Sequence, residues 1–207
     1  MALSDFLAAQ LGRPSGWFGR VVVGGLLDRV NAPLNELTLR ALEHGVVGRE
    51  LEVGPGGGDL LARMAKVVTR GRLAGVDFSA EMIARCAKRF SQLVADGRLE
   101  LHFARVEELP YGSGEFTKAC TVNTIYFWPD PALALAKLRA SLRDGGRLAV
   151  TFNPRASAEK VPYTRHFPAL YERDQVERLI QQAGFRDVRS LEGSTRLGPF
   201  FCTVGTR

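Results

Sequence analysis

The sequence has few cysteines, and they are not arranged in pairs. Its 207 residues contain three, Cys86, Cys120 and Cys202, which lie far apart. This spacing is not typical of a disulfide framework or of a zinc site. Cys120 and Cys202 fall within predicted strands, where a cysteine usually packs as a small hydrophobic residue. We therefore expect reduced thiols, no bound metal and a cytoplasmic location.

Long apolar runs are also missing. The longest, such as residues 21–23 and 148–150, are far shorter than the ~20 residues that a membrane-spanning helix needs. Residues 1–10 carry Asp5 and no basic residue ahead of their apolar stretch, which argues against a secretory signal. We expect no membrane span.

Dense basic clusters are absent as well, although the net charge is +6. The arginines are spread along the chain and form no basic tail. A basic surface can attract nucleic acid, but scattered arginines are more typical of a solvated surface. We therefore expect a small-molecule partner and no nucleic acid, and the sequence does not indicate an oligomeric state.

What the sequence does contain is typical of one globular domain. Hydrophobic residues make up 45% and charged residues 24% of the chain, which argues against disorder. Apolar spacing predicts helices over 18–30 and 34–44, and Pro33 suits the first turn of the second helix. We assign residues 1–48 to an N-terminal helical cap and residues 49–207 to a single domain.

From residue 49 onward, predicted strands and helices alternate. The strands are 50–53, 73–77, 99–103, 116–122, 147–152, 186–191 and 200–206. The helices are 59–68, 79–95, 130–143 and 172–183, and residues 153–170 are irregular. Repeated βα units predict a parallel sheet with helices on both faces, and the short last link suits an antiparallel hairpin. The expected fold is an α/β, Rossmann-like, doubly wound, mostly parallel seven-stranded sheet with an antiparallel C-terminal edge strand.

A glycine loop follows the first predicted strand, in the segment Glu52-Val-Gly54-Pro-Gly56-Gly-Gly58-Asp59. Glycines let a ligand approach the backbone closely, and the following helix presents free N–H groups. In dinucleotide-binding proteins this position receives a pyrophosphate. Here Asp59 replaces the third glycine of that pattern, and a carboxylate would repel pyrophosphate. Glu52 ahead of the loop suits a cationic ligand instead.

Asp77 ends the second predicted strand. A carboxylate at this position typically accepts hydrogen bonds from ribose hydroxyls. The alternative role is an N-cap of the next helix, but Ser79 already suits that role. We expect Asp77 to bind a nucleoside.

Five segments together resemble the class I S-adenosylmethionine-dependent methyltransferases, especially the small ubiquinone and menaquinone biosynthesis enzymes. They are the glycine loop with Glu52, Gly54, Gly56 and Gly58, the segment 75–82 with Asp77, the segment 104–111, the segment 122–131 and the turn 142–148. Each motif alone is modest, but their order and their positions at strand ends match the family over residues 49–207.

The resemblance implies a role for each matching residue. The three glycines lie against the methionine and ribose, Glu52 orients the amino-acid end, and Asp77 holds the ribose hydroxyls. Around the adenine and the methionine end the family implies contacts by Phe78, Met82, the Val106 backbone N–H and Asn123. For Phe78 and Met82, ordinary core packing is an equal alternative.

Arg105 departs from the family pattern, which has an aspartate that accepts from the adenine amino group. Arginine has no acceptor. Its guanidinium could stack on the adenine or point into solvent, and Glu107 could supply the missing acceptor.

No catalytic base is evident. Because a sulfonium is already activated, methyl transfer depends mainly on positioning, with a general base for some acceptors. We name Tyr126 and His166 as catalytic candidates, although an exposed loop is the slightly preferred interpretation of the segment around His166. The acceptor pocket is expected to include Trp17, Tyr126, Trp128 and Tyr163, with Phe18 and Phe167 nearby.

Several acceptor classes are disfavoured. Residues 123–126 lack the Pro-Pro-aromatic pattern of DNA and glutamine N-methyltransferases, and the cysteines would not converge as in arsenite methyltransferases. A small organic acceptor is the expectation. Three alternatives remain open: a non-catalytic S-adenosylmethionine-binding module, an RNA-associated methyltransferase and a nicotinamide-dependent oxidoreductase.

Overall fold

The computed structural model describes residues 31–207, apart from the side chain of Tyr163. Helix α1 is Ala32–Leu42, with Pro33 in its first turn as expected. The elements that follow are β1 Arg49–Val53, α2 Asp59–Val67, β2 Arg72–Asp77, α3 Ala80–Arg89, α4 Ser91–Ala95, β3 Leu99–Phe103, β4 Phe116–Val122, α5 Pro131–Ser141, β5 Leu142–Phe152, α6 Arg155–Ala158, α7 Arg173–Gln182, β6 Arg186–Thr195 and β7 Gly198–Thr206.

The strands form one seven-stranded sheet in the order β3-β2-β1-β4-β5-β7-β6. Strands β1 to β5 pair with one another in parallel, whereas β7 runs antiparallel to both β5 and β6. This confirms the Rossmann-like, mostly parallel sheet with an antiparallel C-terminal hairpin. The reversed strand is β7, which lies second from the edge, and β6 forms the edge itself.

The predicted helix 79–95 is divided in the structure. Helix α3 begins after the N-cap Ser79, as expected, but ends at Arg89, and α4 begins at Ser91. The residue between them, Phe90, leaves helical geometry, with φ −113° and ψ 29°. Its ring lies so close to Gly58 that a Cβ there would meet Phe90 Cε2 at 2.6 Å. Packing of this ring against the glycine loop accounts for the break.

The turn expected over residues 142–148 lies inside a strand as an irregularity, where Gly145 has φ 72° and residues 143–146 have no partner in β4. Strand β5 begins at Leu142, and its register with β4 shifts between Phe116 and Lys118. The C-terminal residue supports this segment, because the Arg207 N–H donates to the Gly146 carbonyl at 2.8 Å. A pairing with the last residue of the chain has no local sequence signal.

Helix α1 lies on the sheet and does not stand apart from it. The helix contributes Leu34, Leu37 and Leu42 to the core on one face of the sheet, together with Leu60 and Met64 of α2. The Thr38 and Thr151 hydroxyls join α1 to β5 with an O···O distance of 2.7 Å. Residues 1–30, with the predicted helix 18–30, lie outside the described residues, so the division at residue 48 stays a prediction.

The opposite face of the sheet is covered by α5 and α7. Their buried residues include Leu135, Leu138, Val176 and Ile180. Within residues 31–207, no helix is both long enough and apolar enough to cross a membrane.

Candidate functional site

A cavity of about 200 Å³ opens at the carboxyl ends of the central strands. It is bordered by residues at the ends of β1, β2, β4 and β5. The strand order reverses between β1 and β4, and this is the position where open α/β sheets bind their ligands. The fold therefore places a ligand site where the predicted site residues also lie.

The glycine loop lies along one side of this cavity in left-handed backbone conformations. Gly54, Gly56 and Gly58 have φ values of 74°, 52° and 83°, which favour glycine strongly. A Cβ on Gly54 would meet Thr124 Cγ2 at 2.3 Å, whereas one on Gly56 would meet no atom within 4 Å. Gly56 thus leaves open space beside the loop. Gly58 does not border the cavity but forms the N-cap of α2.

Asp77 holds the glycine loop and faces the cavity. Its carboxylate accepts from the Ser79 N–H at 2.9 Å and from the Gly56 N–H at 3.3 Å. The side chain is 6% exposed. Burial raises the pKa of Asp77 to about 6, although backbone N–H groups of Ser79, Gly56 and Phe78 partly offset this. A buried carboxylate of this kind is a strong acceptor for hydroxyl donors, as ribose binding requires.

Phe78 and Met82 line the same part of the cavity. Neither residue belongs to the two buried hydrophobic clusters. Because Met82 is only 4% exposed, contact with a ligand and ordinary core packing both stay predictions for these two residues.

The turn after β3 supplies the far end of the cavity. Arg105 is exposed and Val106 is buried, and both border the cavity. Glu107 also lines it, and its Oε1 atom is buried with no hydrogen-bond partner within residues 31–207. An unpaired buried acceptor is costly. The structure therefore offers an acceptor here that Arg105 does not provide.

The ends of β4 and β5 carry a network of uncharged side chains. The Asn123 Nδ2 donates to Asn31 Oδ1 at 2.9 Å, and the Asn153 Nδ2 donates to Asn123 Oδ1 at 3.1 Å. The Tyr126 hydroxyl accepts from the Asn153 N–H at 2.7 Å and lies 2.8 Å from the Asn153 carbonyl. We call Asn31, Asn123, Asn153 and Tyr126 the asparagine relay.

The asparagine relay bears on the role predicted for Tyr126. Its ring is 2% exposed and packs against Phe167, with ring centroids 5.4 Å apart. Because both hydroxyl functions are used by Asn153, the network favours a positioning role. The proposed catalytic role of Tyr126 stays a prediction.

The other residues predicted for the acceptor pocket or for catalysis lie in different environments. Trp128 is buried and borders the cavity, whereas His166 is exposed, does not border it, and has its Nε2 2.9 Å from Arg165 Nε. The backbone of Tyr163 lies in the 3₁₀ turn Pro162–His166. Trp17 and Phe18 lie outside the described residues.

Sequence reasoning missed several cavity residues. Asn153 directly follows β5, as Asn123 follows β4, but the resemblance that implied a role for Asn123 included no residue at this position. Asn31 and Asn35 line the cavity from the beginning of α1. Their positions had no signal in the sequence, because they depend on where α1 packs on the sheet.

The charged side chains that line the cavity all lie in one half of it. We call the part of the cavity lined by residues before Asn123 the cofactor half. Its charged groups are the carboxylates of Glu52, Asp59, Asp77 and Glu107 and the guanidinium of Arg105. Glu52 is 3% exposed at the end of β1. A mainly acidic lining suits a cationic ligand, and the open loop beside Gly56 leaves room for it. The residues present therefore fit S-adenosylmethionine, which carries a sulfonium and an ammonium group.

Comparisons with known proteins agree with this geometry. Residues 51–150 match the family model described as a methyltransferase domain. An uncharacterized methyltransferase, YdaC of Bacillus subtilis, is 26% identical, over 81% of this chain and 88% of YdaC. The ubiquinone/menaquinone biosynthesis C-methyltransferase UbiE of Syntrophotalea carbinolica is 28% identical, over 79% of this chain and 86% of UbiE.

Among solved structures, the geranyl diphosphate C-methyltransferase of Streptomyces coelicolor superposes with a TM-score of 0.72. It is 16% identical and was solved with S-adenosylhomocysteine; the match covers 96% of this chain and 87% of that one. Some relatives are much longer. The chain spans only 42% of an uncharacterized protein of transposon TN4556 from Streptomyces fradiae, to which it is 33% identical over 65% of its own length.

The family model, the relatives and the mainly acidic cavity at the strand-order reversal agree with one another and with the motifs in the sequence. The nicotinamide-dependent alternative gains no support from any of them. The chain belongs to the class I S-adenosylmethionine-dependent methyltransferases.

Proposed function

We propose that this methyltransferase transfers a methyl group to a small organic acceptor. The acceptor enters the second half of the cavity, which is lined by the residues from Asn123 onward and which we call the acceptor half. The observation that carries the proposal is the extent of the cavity beyond the cofactor residues. It continues past Asn123 to Phe127, Trp128, Val161 and Phe167. This extension has apolar and aromatic walls, which are typical of sites that bury a small ligand.

The segment after β5 closes this second half. It contains α6 and the 3₁₀ turn Pro162–His166. Phe167 packs on Phe127 with ring centroids 4.7 Å apart, and the Thr164 hydroxyl donates to the Ala158 carbonyl at 2.8 Å. These contacts hold the segment over the cavity.

The role of the chain is to bring two reactants into line. When bound, S-adenosylmethionine supplies a methyl carbon on a positively charged sulfur, and the electron pair of the carbon–sulfur bond stays with sulfur as the acceptor's lone pair forms the new bond. Glu52 and Asp77 fix one reactant, and the aromatic walls fix the other. Any proton on the accepting atom leaves to solvent water. Orientation of this kind accounts for much of the barrier reduction.

The cofactor-binding roles of Glu52, Gly54, Gly56, Asp77 and Asn123 belong to the same proposal. So do the roles of Phe78, Met82, Arg105 and Val106 around the adenine. Their common border on one cavity supports this assignment. Gly58 contributes through the backbone geometry at the beginning of α2.

A relative supports a small-molecule acceptor. The 27-O-demethylrifamycin SV methyltransferase of Amycolatopsis mediterranei is 28% identical over 61% of this chain. A cytoplasmic location is also part of the proposal, because all three cysteines are free and buried, as suits a reducing compartment.

The experiment that tests the proposal is an acceptor screen with methyl-labelled S-adenosylmethionine. We expect label transfer to members of a small-molecule panel and none to total RNA or to a protein extract. Transfer to RNA alone, with strongly salt-dependent RNA binding, would replace the proposal with the RNA-associated alternative. Cofactor binding without transfer to any of the three pools would favour a non-catalytic module.

A further inference from the structure

The turn of the β6–β7 hairpin reaches the acceptor half of the cavity. Strand β6 ends at Thr195 and β7 begins at Gly198, so the turn between them consists of Arg196 and Leu197. Leu197 lines the cavity. The other described residues of the acceptor half come from the segments that follow β4 and β5. The hairpin therefore adds one apolar side chain from a part of the chain that is distant in sequence.

Leu197 lies where the acceptor half opens to solvent. It is 39% exposed, and it is the one exposed residue among the described residues that line this half. Ser157 and Ala158, which line the same half, are buried. A residue that both lines a cavity and contacts solvent stands at its opening. An acceptor group longer than the cavity would therefore have to pass Leu197.

The hairpin turn is held against the segment that follows β5. The Lys160 ammonium group donates to the Leu197 carbonyl at 2.9 Å, and the Ser157 hydroxyl donates to the Pro199 carbonyl at 2.8 Å. Gly198 allows this close approach, because its φ is 127° and a Cβ there would lie 2.8 Å from Ser157 Oγ. The backbone is thus fixed on both sides of the Leu197 side chain.

We infer that Leu197 is a specificity-determining residue that limits the length of the acceptor, and that Lys160 is the positioning residue that holds it at the opening. This inference rests on the proposed function, because it takes the acceptor to occupy this half of the cavity. A longer acceptor must either displace Leu197, against the hydrogen bond from Lys160, or leave its end in water. In both cases the added apolar atoms gain nothing from burial.

The test measures binding of straight-chain 1-alkanols, from 1-butanol to 1-nonanol, to protein saturated with S-adenosylhomocysteine. Each methylene group that becomes buried should tighten binding roughly fourfold, which corresponds to about 0.8 kcal/mol. In the wild type we expect this gain to stop at one chain length, which we call the break. A steady gain through the whole series, or no binding of any alkanol, would overturn the inference.

Variants of Leu197 test whether this side chain sets the break. Leu197→Ala should move it to a longer alkanol, so that the first alkanol beyond the wild-type break binds roughly fourfold more tightly than to wild type. Leu197→Trp should move the break to a shorter alkanol. The matched control is Leu191→Ala, because Leu191 is 36% exposed on the same hairpin and does not line this cavity. An unmoved break in either Leu197 variant, or an equal movement in the control, would contradict the inference.

Two variants of Lys160 test the positioning role. Lys160→Met removes the donor to the Leu197 carbonyl and should move the break in the same direction as Leu197→Ala. Lys160→Arg keeps a donor at this position and should restore the wild-type break. If Lys160→Met keeps the wild-type break, or if Lys160→Arg behaves like Lys160→Met, the hydrogen bond does not position Leu197.

A control titration separates failure of this inference from failure of the proposed function. The affinity for S-adenosylhomocysteine is measured first for each protein, and it should be equal in all of them because Leu197 and Lys160 lie outside the cofactor half. If this ligand does not bind the wild type, the proposed function fails. If it binds normally and the Leu197 variants do not move the break, only the role of Leu197 is wrong.

Discussion

At the scale of single residues, the proposed cofactor site depends most on Asp77 and Glu107. Both are carboxylates on the cofactor half of the cavity, but their surroundings differ. Asp77 accepts two backbone N–H groups, whereas Glu107 Oε1 is buried without a partner in the described part of the chain. Asp77 could be identified from its position at a strand end. The unpaired state of Glu107 depends on packing and could not.

The raised pKa of Asp77 predicts a pH-dependent affinity. Ribose hydroxyls donate to the ionised form, so affinity for S-adenosylhomocysteine should fall as the pH drops below about 6, the pKa of Asp77. Titrations between about pH 5 and pH 8 measure this. The Asp77→Asn variant should show weaker binding without the same pH dependence. An identical pH profile in both proteins would rule Asp77 out as the source.

The same pKa predicts the reverse effect on the protein without ligand. Because the pKa of Asp77 is about 6 in the folded protein and an unperturbed aspartate has a pKa of 3.8, the folded protein holds this proton more tightly than the unfolded chain does. The contribution of protonated Asp77 to the free energy of unfolding is present at low pH and is lost as the pH rises through about 6. Comparison of wild type with Asp77→Asn by urea unfolding across this range isolates it, and a difference that grows in the opposite direction would contradict it.

We expect Glu107 to accept a hydrogen bond from the adenine amino group. In the family pattern, an aspartate at the position of Arg105 has this role. Glu107→Ala should weaken S-adenosylhomocysteine binding roughly 10- to 150-fold, as the loss of a hydrogen bond to a charged acceptor costs about 1.5–3 kcal/mol. S-inosylhomocysteine lacks the amino group and should lose little. The neighbouring, exposed Glu108 provides the control variant Glu108→Ala. Equal losses for both ligands would show that Glu107 does not contact the amino group.

At the scale of secondary structure elements, helix α1 joins the cofactor loop to the acceptor half. Asn35 donates to Asp59 Oδ2 at 2.9 Å, and Arg63 donates to the same oxygen at 2.7 Å. Asp59 is the residue that replaces the third glycine of the dinucleotide-binding pattern. Its structural role is thus to fix α1 beside the loop, which the sequence pattern alone did not indicate.

This contact predicts that Asp59 stabilises the fold more than a surface carboxylate does. Asp59→Ala leaves buried Asn35 without its acceptor and should lower the free energy of unfolding by about 1–2 kcal/mol. The matched control is Asp174→Ala, which removes an exposed ion pair with Arg178 and should cost less than about 0.5 kcal/mol. Urea unfolding compares the two, and equal destabilisation would contradict the anchoring role.

The elements that could be predicted from sequence are those with local signals. Glycines, helix caps and apolar periodicity located β1 to β4, and the N-cap Ser79 was placed correctly. The break at Phe90 and the extension of β5 from Leu142 depend on contacts with Gly58 and Arg207, which are distant in sequence. The relay joins Asn31 to Asn123 across 92 positions. Such pairings require the tertiary fold and were not predictable.

At the scale of the whole molecule, the alternation of strands and helices already predicted the topology. The charge distribution adds what the net charge of +6 conceals, because the charged groups along the cavity are four carboxylates and one guanidinium, that of Arg105. Fold and cofactor class are therefore accessible from sequence. The lining of the cavity depends on how distant segments meet, which local sequence patterns do not give.

Cofactor binding should stabilise the entire domain, because the cavity draws on both β1–β2 and β4–β5. A ligand at about 100 times its Kd adds about 2.7 kcal/mol to the free energy of unfolding. For a domain of this size this corresponds to a rise in Tm of roughly 5–10 °C. S-adenosylhomocysteine should produce this shift in a thermal melt, and NADH should not. A shift with NADH alone would revive the oxidoreductase alternative.

The most direct test of the central claim is a calorimetric titration of wild type and Asp77→Ala with S-adenosylmethionine, S-adenosylhomocysteine and NADH. We expect micromolar binding of the first two ligands and no binding of NADH. Asp77→Ala should weaken the binding of the first two roughly 10- to 150-fold, through the loss of about 1.5–3 kcal/mol. Binding of NADH alone, or cofactor binding that Asp77→Ala leaves unchanged, would contradict the central claim.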